Sequence, residues 1–243
     1  MSAYESLACS YDALTQDVPY EAVLDYVETL LRRRGAAPET VLDLACGTGS
    51  LSVLLAQRGY RVLAADASED MLAMAYDKAA GLENPPFFIC QRMEQLTLPA
   101  PVDLVISMLD SLNYLPADAR TAMARIYEAL TPGGTLIFDI NTPEKLRGLD
   151  GQVFLDEDED TYCVWRAEFD QEENICYYGM DLFQRRGKLW QRSFEEHREY
   201  AYTPEQLTGF LREAGFRTVA WYGDRTLEPP RPGEQRAYCE AVK

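Results

Sequence analysis

The chain has 243 residues, 47% of them hydrophobic, which excludes a disordered chain and leaves ample material for a large folded domain. Its 23 basic and 40 acidic residues give a net charge of −17, which opposes binding to phosphate backbones and anionic lipids. No nucleic-acid partner is therefore expected. No membrane association is expected either, because no apolar run reaches the roughly 18 residues of a membrane helix.

Residues 1–6 offer neither a basic start nor an apolar core, so no secretory signal is expected and the protein is expected to be cytoplasmic. The six cysteines (Cys9, Cys46, Cys90, Cys163, Cys176, Cys239) form no Cys-x-x-Cys pair, and His197 is the single histidine. Without clustered thiolates or imidazoles no metal site is expected, and the cysteines read as reduced and mostly buried.

Residues 1–34 read as helical, punctuated at Tyr11-Asp12 and at Val18-Pro19-Tyr20. After Pro19, a residue suited to a helix start, Val23, Leu24, Val27, Leu30 and Leu31 recur at helical spacing. Arg32, Arg33 and Arg34 close that helix, where positive charge suits the dipole. Val41, Leu42 and Leu44 then form a short apolar run fit for a strand buried on both faces. It stops at the turn Ala45-Cys46-Gly47-Thr48-Gly49, and a helical pattern runs from Leu51 to about Arg58.

Residues 60–65 form a second strand ending at Asp66, and Ser68 is positioned to cap the following helix. Further strands are expected at 87–90, 102–107 and 135–140, with a helix from about Ala117 to Leu130 and a turn at Pro132-Gly133-Gly134. Strands alternating with helices at this rhythm indicate a parallel sheet covered on both faces.

The rhythm changes after Pro143. Residues 161–169, 175–184 and 189–202 are aromatic-rich and alternating, with turns at Glu173-Asn174 and Arg186-Gly187-Lys188, so three or four antiparallel strands are expected. The acidic run at 156–160 reads as a solvated hairpin edge. Thr203-Pro204 opens a last helix that Gly215 stops, and two strands, 217–222 and 236–242, complete a seven-stranded sheet. The expected organisation is a helical lid over 1–36, a cofactor-binding domain over 37–142 and 203–243, and a β insertion over 143–202. The fold class is α/β, Rossmann-like, doubly wound and mostly parallel.

The glycine turn alone does not name a ligand. A dinucleotide fingerprint requires a third glycine or alanine where this chain has Ser52. Asp43, just before the turn, repels a pyrophosphate and welcomes an ammonium group. Asp66, at the end of the second strand, can accept both hydroxyls of a ribose. A nucleoside with cationic character at the turn fits both residues.

The motifs Val41-Leu-Asp-Leu-Ala-Cys-Gly-Thr-Gly49, Ala65-Asp-Ala-Ser-Glu-Asp-Met-Leu72, Asp110-Ser-Leu-Asn-Tyr-Leu115 and Leu130-Thr-Pro-Gly-Gly134 resemble those of the class I S-adenosylmethionine-dependent methyltransferases. The third motif and the insertion are similar to a bacterial small-molecule subgroup that includes amino-sugar and glycine N-methyltransferases. The resemblance implies that Asp43, Ala45, Gly47 and Gly49 surround the methionine part of S-adenosylmethionine. It implies that Asp66 holds the ribose and that Ala67 and Met71 border the adenine. The family often places an acidic residue after the third strand, and here Gln91-Arg92-Met93 stands there. Contact through the backbone beside Arg92, with Met93 on the ring, is the expectation.

Asp110 is expected near the transferring methyl, and Tyr11 is expected to fold over the cofactor. For a general base the candidate is His197, on a strand face shared with Glu195 and Glu199. The expected partner is a small-molecule acceptor, nitrogen before oxygen. A homodimer is compatible with this reading, which fixes no oligomeric state. Two alternatives stay open: a nicotinamide-dependent oxidoreductase and a non-catalytic cofactor-binding module.

Overall fold

The computed structural model describes residues 11–12, 15, 17–116 and 119–243. The elements begin with α1 (Tyr20–Arg34), β1 (Thr40–Leu44), α2 (Ser50–Gln57), β2 (Arg61–Asp66), α3 (Glu69–Ala79), β3 (Phe87–Cys90) and β4 (Val102–Ser107). They continue with α4 (Ala119–Ala129), β5 (Leu130–Asn141), α5 (Pro143–Gly148), β6 (Val153–Glu157), β7 (Thr161–Asp170), β8 (Ile175–Arg186) and β9 (Leu189–Tyr200). The chain closes with α6 (Pro204–Ala214), β10 (Thr218–Gly223) and β11 (Arg236–Val242). Single 3-10 turns occupy Met93–Gln95 and Ser111–Tyr114.

Seven strands form one sheet in the order β10-β11-β5-β4-β1-β2-β3. The strands from β1 to β5 pair in parallel, and β11 runs antiparallel to both β5 and β10. The chain leaves β1 in one direction through β2 and β3, and returns to its other side at β4. Such a switch point opens a crevice beyond the strand ends, where α/β sheets hold their ligands.

Alternating strand residues feed two cores. Val41, Ala64, Leu104, Ile106 and Ile137 pack toward α1, α2 and α3. Leu42, Leu44, Val105, Leu136, Phe138 and Ile140 pack toward α4 and α6. The apolar stripe of α1 is thus part of the helical layer, while most of the expected lid before it lies outside the described residues. No helix among the described residues is long and apolar enough to cross a membrane.

The expected caps are present. The Ser68 hydroxyl accepts the Met71 N–H at 3.2 Å, and Thr203 and Gln206 form a reciprocal capping box. Two elements differ from the sequence reading. β5 starts at Leu130, and the pairing with β4 shifts between Val102–Leu130 and Leu104–Thr135, so Pro132-Gly133-Gly134 is an irregularity inside the strand. The helix α5 was not expected. Thr142 caps it by accepting the Lys145 N–H at 3.2 Å, and Pro143 sits in its first turn.

The strands β6 to β9 form a second, antiparallel sheet in chain order. Ala167, Tyr178 and His197 fall in one cross-strand row. Their face is buried, while Tyr162 and Phe194 stand exposed on the other face. The acidic run ends β6 and forms the β6–β7 turn, where the Asp158 carboxylate accepts the Asp160 and Thr161 N–H groups.

Asn113 clasps the two sheets where the chain leaves the first one, at the end of β5, and where it leaves the second, at the end of β9. Its Nδ2 donates to the Asn141 and Tyr200 carbonyls, each at 3.0 Å, and its Oδ1 accepts the Asn141 N–H at 3.0 Å. Asn113 is fully buried. Asn113→Ala strands a buried N–H and two carbonyls, so urea denaturation should show a loss of about 2–4 kcal/mol.

Candidate active site

The switch point opens into a cavity of about 330 Å³. Its floor is the turn after β1. Ala45, Gly47 and Gly49 all hold left-handed backbone, with φ of 60, 55 and 75°. The two glycines differ in role. A Cβ on Gly47 would meet nothing within 4 Å, so the space above it is open to a ligand. A Cβ on Gly49 would lie 2.8 Å from the Ala75 Cβ, so Gly49 lets α2 approach α3 and does not line the cavity.

Asp43 reaches the cavity from inside β1. It is 2% exposed and accepts the Ser52 hydroxyl at 2.5 Å. Burial pushes its carboxyl up to about 6, against the lowering effect of Ser52. A cationic ligand group beside it would restore the charged form. Asp66 accepts the Gly47 N–H and the Ser68 N–H, each at 2.9 Å. Burial raises its carboxyl and these donors oppose that shift. Each oxygen keeps a further lone pair for a ligand hydroxyl.

Ala67, Met71, Gln91 and Met93 line the adjoining end. The Gln91 N–H donates to the Asp66 carbonyl at 2.9 Å, and its Oε1 accepts the Thr97 N–H at 2.9 Å. Arg92 is at the wall and pairs with Glu94 at 3.3 Å. Glu94 also lines the cavity. The sequence reading took the acidic residue after the third strand as missing, and Glu94 stands two positions beyond Arg92 in the 3-10 turn. Ser68, Ser111 and Tyr114 also line the cavity and were not assigned to the site, although all three lay within the quoted motifs.

The opposite wall is the segment after β4. Leu109 and Asp110 both take left-handed backbone, with φ of 59 and 54°. Two such non-glycine residues in succession are strained. The Asp139 carboxylate holds them by accepting the Leu109 N–H at 2.7 Å and the Asp110 N–H at 3.1 Å. Asp139 also pairs with Arg236, whose Nη2 donates to Asp110 Oδ1 at 2.7 Å. The Asp110 carboxylate therefore faces Arg236, and Asp110 is not among the lining residues.

The cavity's cover includes Tyr11, which rests on the second sheet. Tyr11 lines the cavity and packs against the cluster of Cys163 and Leu182 in the second sheet. Burial raises its phenol, with Tyr20, Asp110 and Asp66 nearby. His197 is buried behind Tyr114, with ring centroids 6.2 Å apart, and does not itself line the cavity. Its Nε2 lies 3.2 Å from Glu195 Oε2. Glu199, on the same face, accepts from Asn141 Nδ2 at 2.8 Å. Burial first, and then the Asp110 charge, raise the Glu199 carboxyl well above the usual range.

A family profile described as a methyltransferase domain matches residues 41–134. A candidate methyltransferase of Geobacillus sp. (strain WCH70) is 34% identical over 99% of this chain and 99% of its own. The crystal structure of an S-adenosylmethionine-dependent methyltransferase from Clostridium acetobutylicum superposes with a TM-score of 0.87 at 27% identity, covering 98% of both chains. A sugar N-methyltransferase of Streptoalloteichus sp., KedS8, shares the fold at 20% identity (TM-score 0.77, 96% of this chain and 92% of that one).

The cradle fits S-adenosylmethionine: open space above Gly47, a buried carboxylate at Asp43 and hydroxyl acceptors at Asp66. Asp66→Ala should raise the calorimetric Kd for S-adenosylhomocysteine by about tenfold or more. Asp43 sets a pH dependence. Its carboxyl is raised on folding, so it adds stability at low pH and loses that contribution as pH rises through about 6. Ligand binding runs the other way, because an ammonium group prefers the ionised carboxylate. The same Kd should therefore rise about fourfold from pH ~7.5 to pH ~5.5, and Asp43→Asn should flatten that change.

The sequence match along the whole chain, the switch-point sheet and this cradle agree: the chain belongs to the class I S-adenosylmethionine-dependent methyltransferases and is an enzyme.

Proposed function

We propose that this enzyme methylates the nitrogen of a small amine. The observation that carries the reading is the acidic face that the second sheet turns toward the cavity wall. Glu195, His197 and Glu199 lie on it, with His197 and Glu199 each 4% exposed. Buried carboxylates of this kind recognise a cationic acceptor, and a histidine among them can take up its proton. The shared fold of a sugar N-methyltransferase is consistent with the same acceptor class.

S-adenosylmethionine, when bound, supplies an electrophilic methyl on a good leaving group. The chain's own residues have three tasks. Asp43, Asp66 and the Gly47 turn hold the cofactor. Leu109, Tyr114 and Tyr11 enclose the acceptor side and exclude water. Alignment of this kind is worth about 7–11 kcal/mol in favourable cases. His197, oriented by Glu195 behind Tyr114, would take the acceptor's proton once Tyr114 moves aside to let the two meet. Glu199, fixed by Asn141, sits where a cationic acceptor would draw its raised carboxyl into the charged form.

A panel of amines, amino sugars and hydroxylated metabolites, assayed with methyl-labelled cofactor, tests the acceptor. Amine methylation is expected, and turnover of hydroxylated compounds alone would overturn the nitrogen assignment. His197→Ala should lower kcat by about 10²-fold or more while leaving S-adenosylhomocysteine affinity within about twofold. A loss of cofactor binding in that variant would remove His197 from the acceptor side.

A further inference from the structure

The segment bearing Tyr11 is tied down by a cluster that plays no part in the chemistry above. Lys78, near the end of α3, sends its Nζ to three oxygens: Asp12 Oδ1 at 2.8 Å, Thr48 Oγ1 at 3.0 Å and Ser50 Oγ at 2.7 Å. These use all three donors of the ammonium group. The Thr48 hydroxyl donates in turn to Asp12 Oδ1 at 2.6 Å.

The two ends of this cluster lie on the cofactor site. Thr48 and Ser50 flank Gly49 in the turn after β1 and line the cavity. Asp12 adjoins Tyr11, which lines the same cavity and packs on the second sheet. The Thr15 hydroxyl donates to the Tyr11 carbonyl at 2.7 Å, which holds the local turn. The strap thus crosses from the glycine turn to the second sheet, and Lys78 and Asp12 fasten it.

We propose that Lys78 is a positioning residue that latches the Tyr11 strap over the cofactor and sets how long the product S-adenosylhomocysteine stays bound. The proposal rests on the methyltransferase assignment. Lys78 touches no reacting atom and acts only through Asp12, Thr48 and Ser50. The Lys78 and Asp12 side chains are 25% and 42% exposed, so water and salt compete for the pair. That is the exposure a latch requires if it is to open on each turnover.

Stopped-flow displacement of S-adenosylhomocysteine from the full-length protein tests this. Lys78→Met should raise the dissociation rate and the Kd together by about five- to tenfold, with the association rate within about twofold. Lys78→Arg should restore most of the wild-type dissociation rate. Added salt, from ~0.05 to ~0.5 M, should speed dissociation from the wild type and leave Lys78→Met nearly unchanged. A lysine with a merely structural role would lower the thermal midpoint and leave the dissociation rate and its salt dependence alone. Equal dissociation rates in wild type and Lys78→Met overturn the latch and spare the methyltransferase assignment. A wild type that binds no S-adenosylhomocysteine overturns that assignment and the latch with it.

Discussion

Asp66 is the point at which three parallel strands are joined beyond their ordinary pairing. Its carboxylate accepts the Gly47 N–H from the turn after β1, and its own carbonyl accepts the Gln91 N–H at the end of β3. The Cys46 N–H donates to the neighbouring Ala65 carbonyl at 3.1 Å. The turn between them contains three left-handed residues, one of them the non-glycine Ala45. Such a backbone persists only where its surroundings determine it. Without the carboxylate bridge the Gly47 N–H would have no acceptor of comparable strength, and the floor of the cavity would lose its shape.

The far wall repeats this logic with a different set of strands. Asp139, on β5, holds the left-handed Leu109-Asp110 pair after β4, and Arg236, on β11, balances the charge. Asp139 and Asp66 are both buried carboxylates raised by desolvation, and each is engaged by backbone donors. The two walls are therefore fixed by buried polar groups that are costly to break. The cover is different. The Tyr11 segment is fastened by side chains that water reaches, so its ties are weaker than those of the two walls.

Much of this was legible in the sequence because it is local. Alternating apolar residues announce the strands. The glycines announce a left-handed turn, and Ser68 and Thr203 announce the helix starts. Asp43 and Asp66 stood out because a charged residue at the end of an apolar strand needs a purpose. What stayed hidden depends on distant partners. The side chain of Asp110 is claimed by Arg236, 126 residues away, and no spacing rule reaches that far. His197 alternates correctly into the buried face, yet its place behind Tyr114 depends on how two sheets meet. Lys78 reads as an ordinary basic residue closing a helix, because its three acceptors come from two other segments.

The Asn113 clasp has a topological consequence. It binds the last residue of β5 and the last residue of β9 with one side chain, so the excursion through the second sheet begins and ends at nearly one point. Everything between those residues is a closed excursion. Its length adds to the closure entropy only slowly, and its strands pair only with one another. Such an excursion behaves as a graft on a socket. The socket fixes the two cavity carboxylates through its own residues, Ser52 for Asp43 and Gly47 with Ser68 for Asp66, so the length and shape of the graft bear on neither of those bonds.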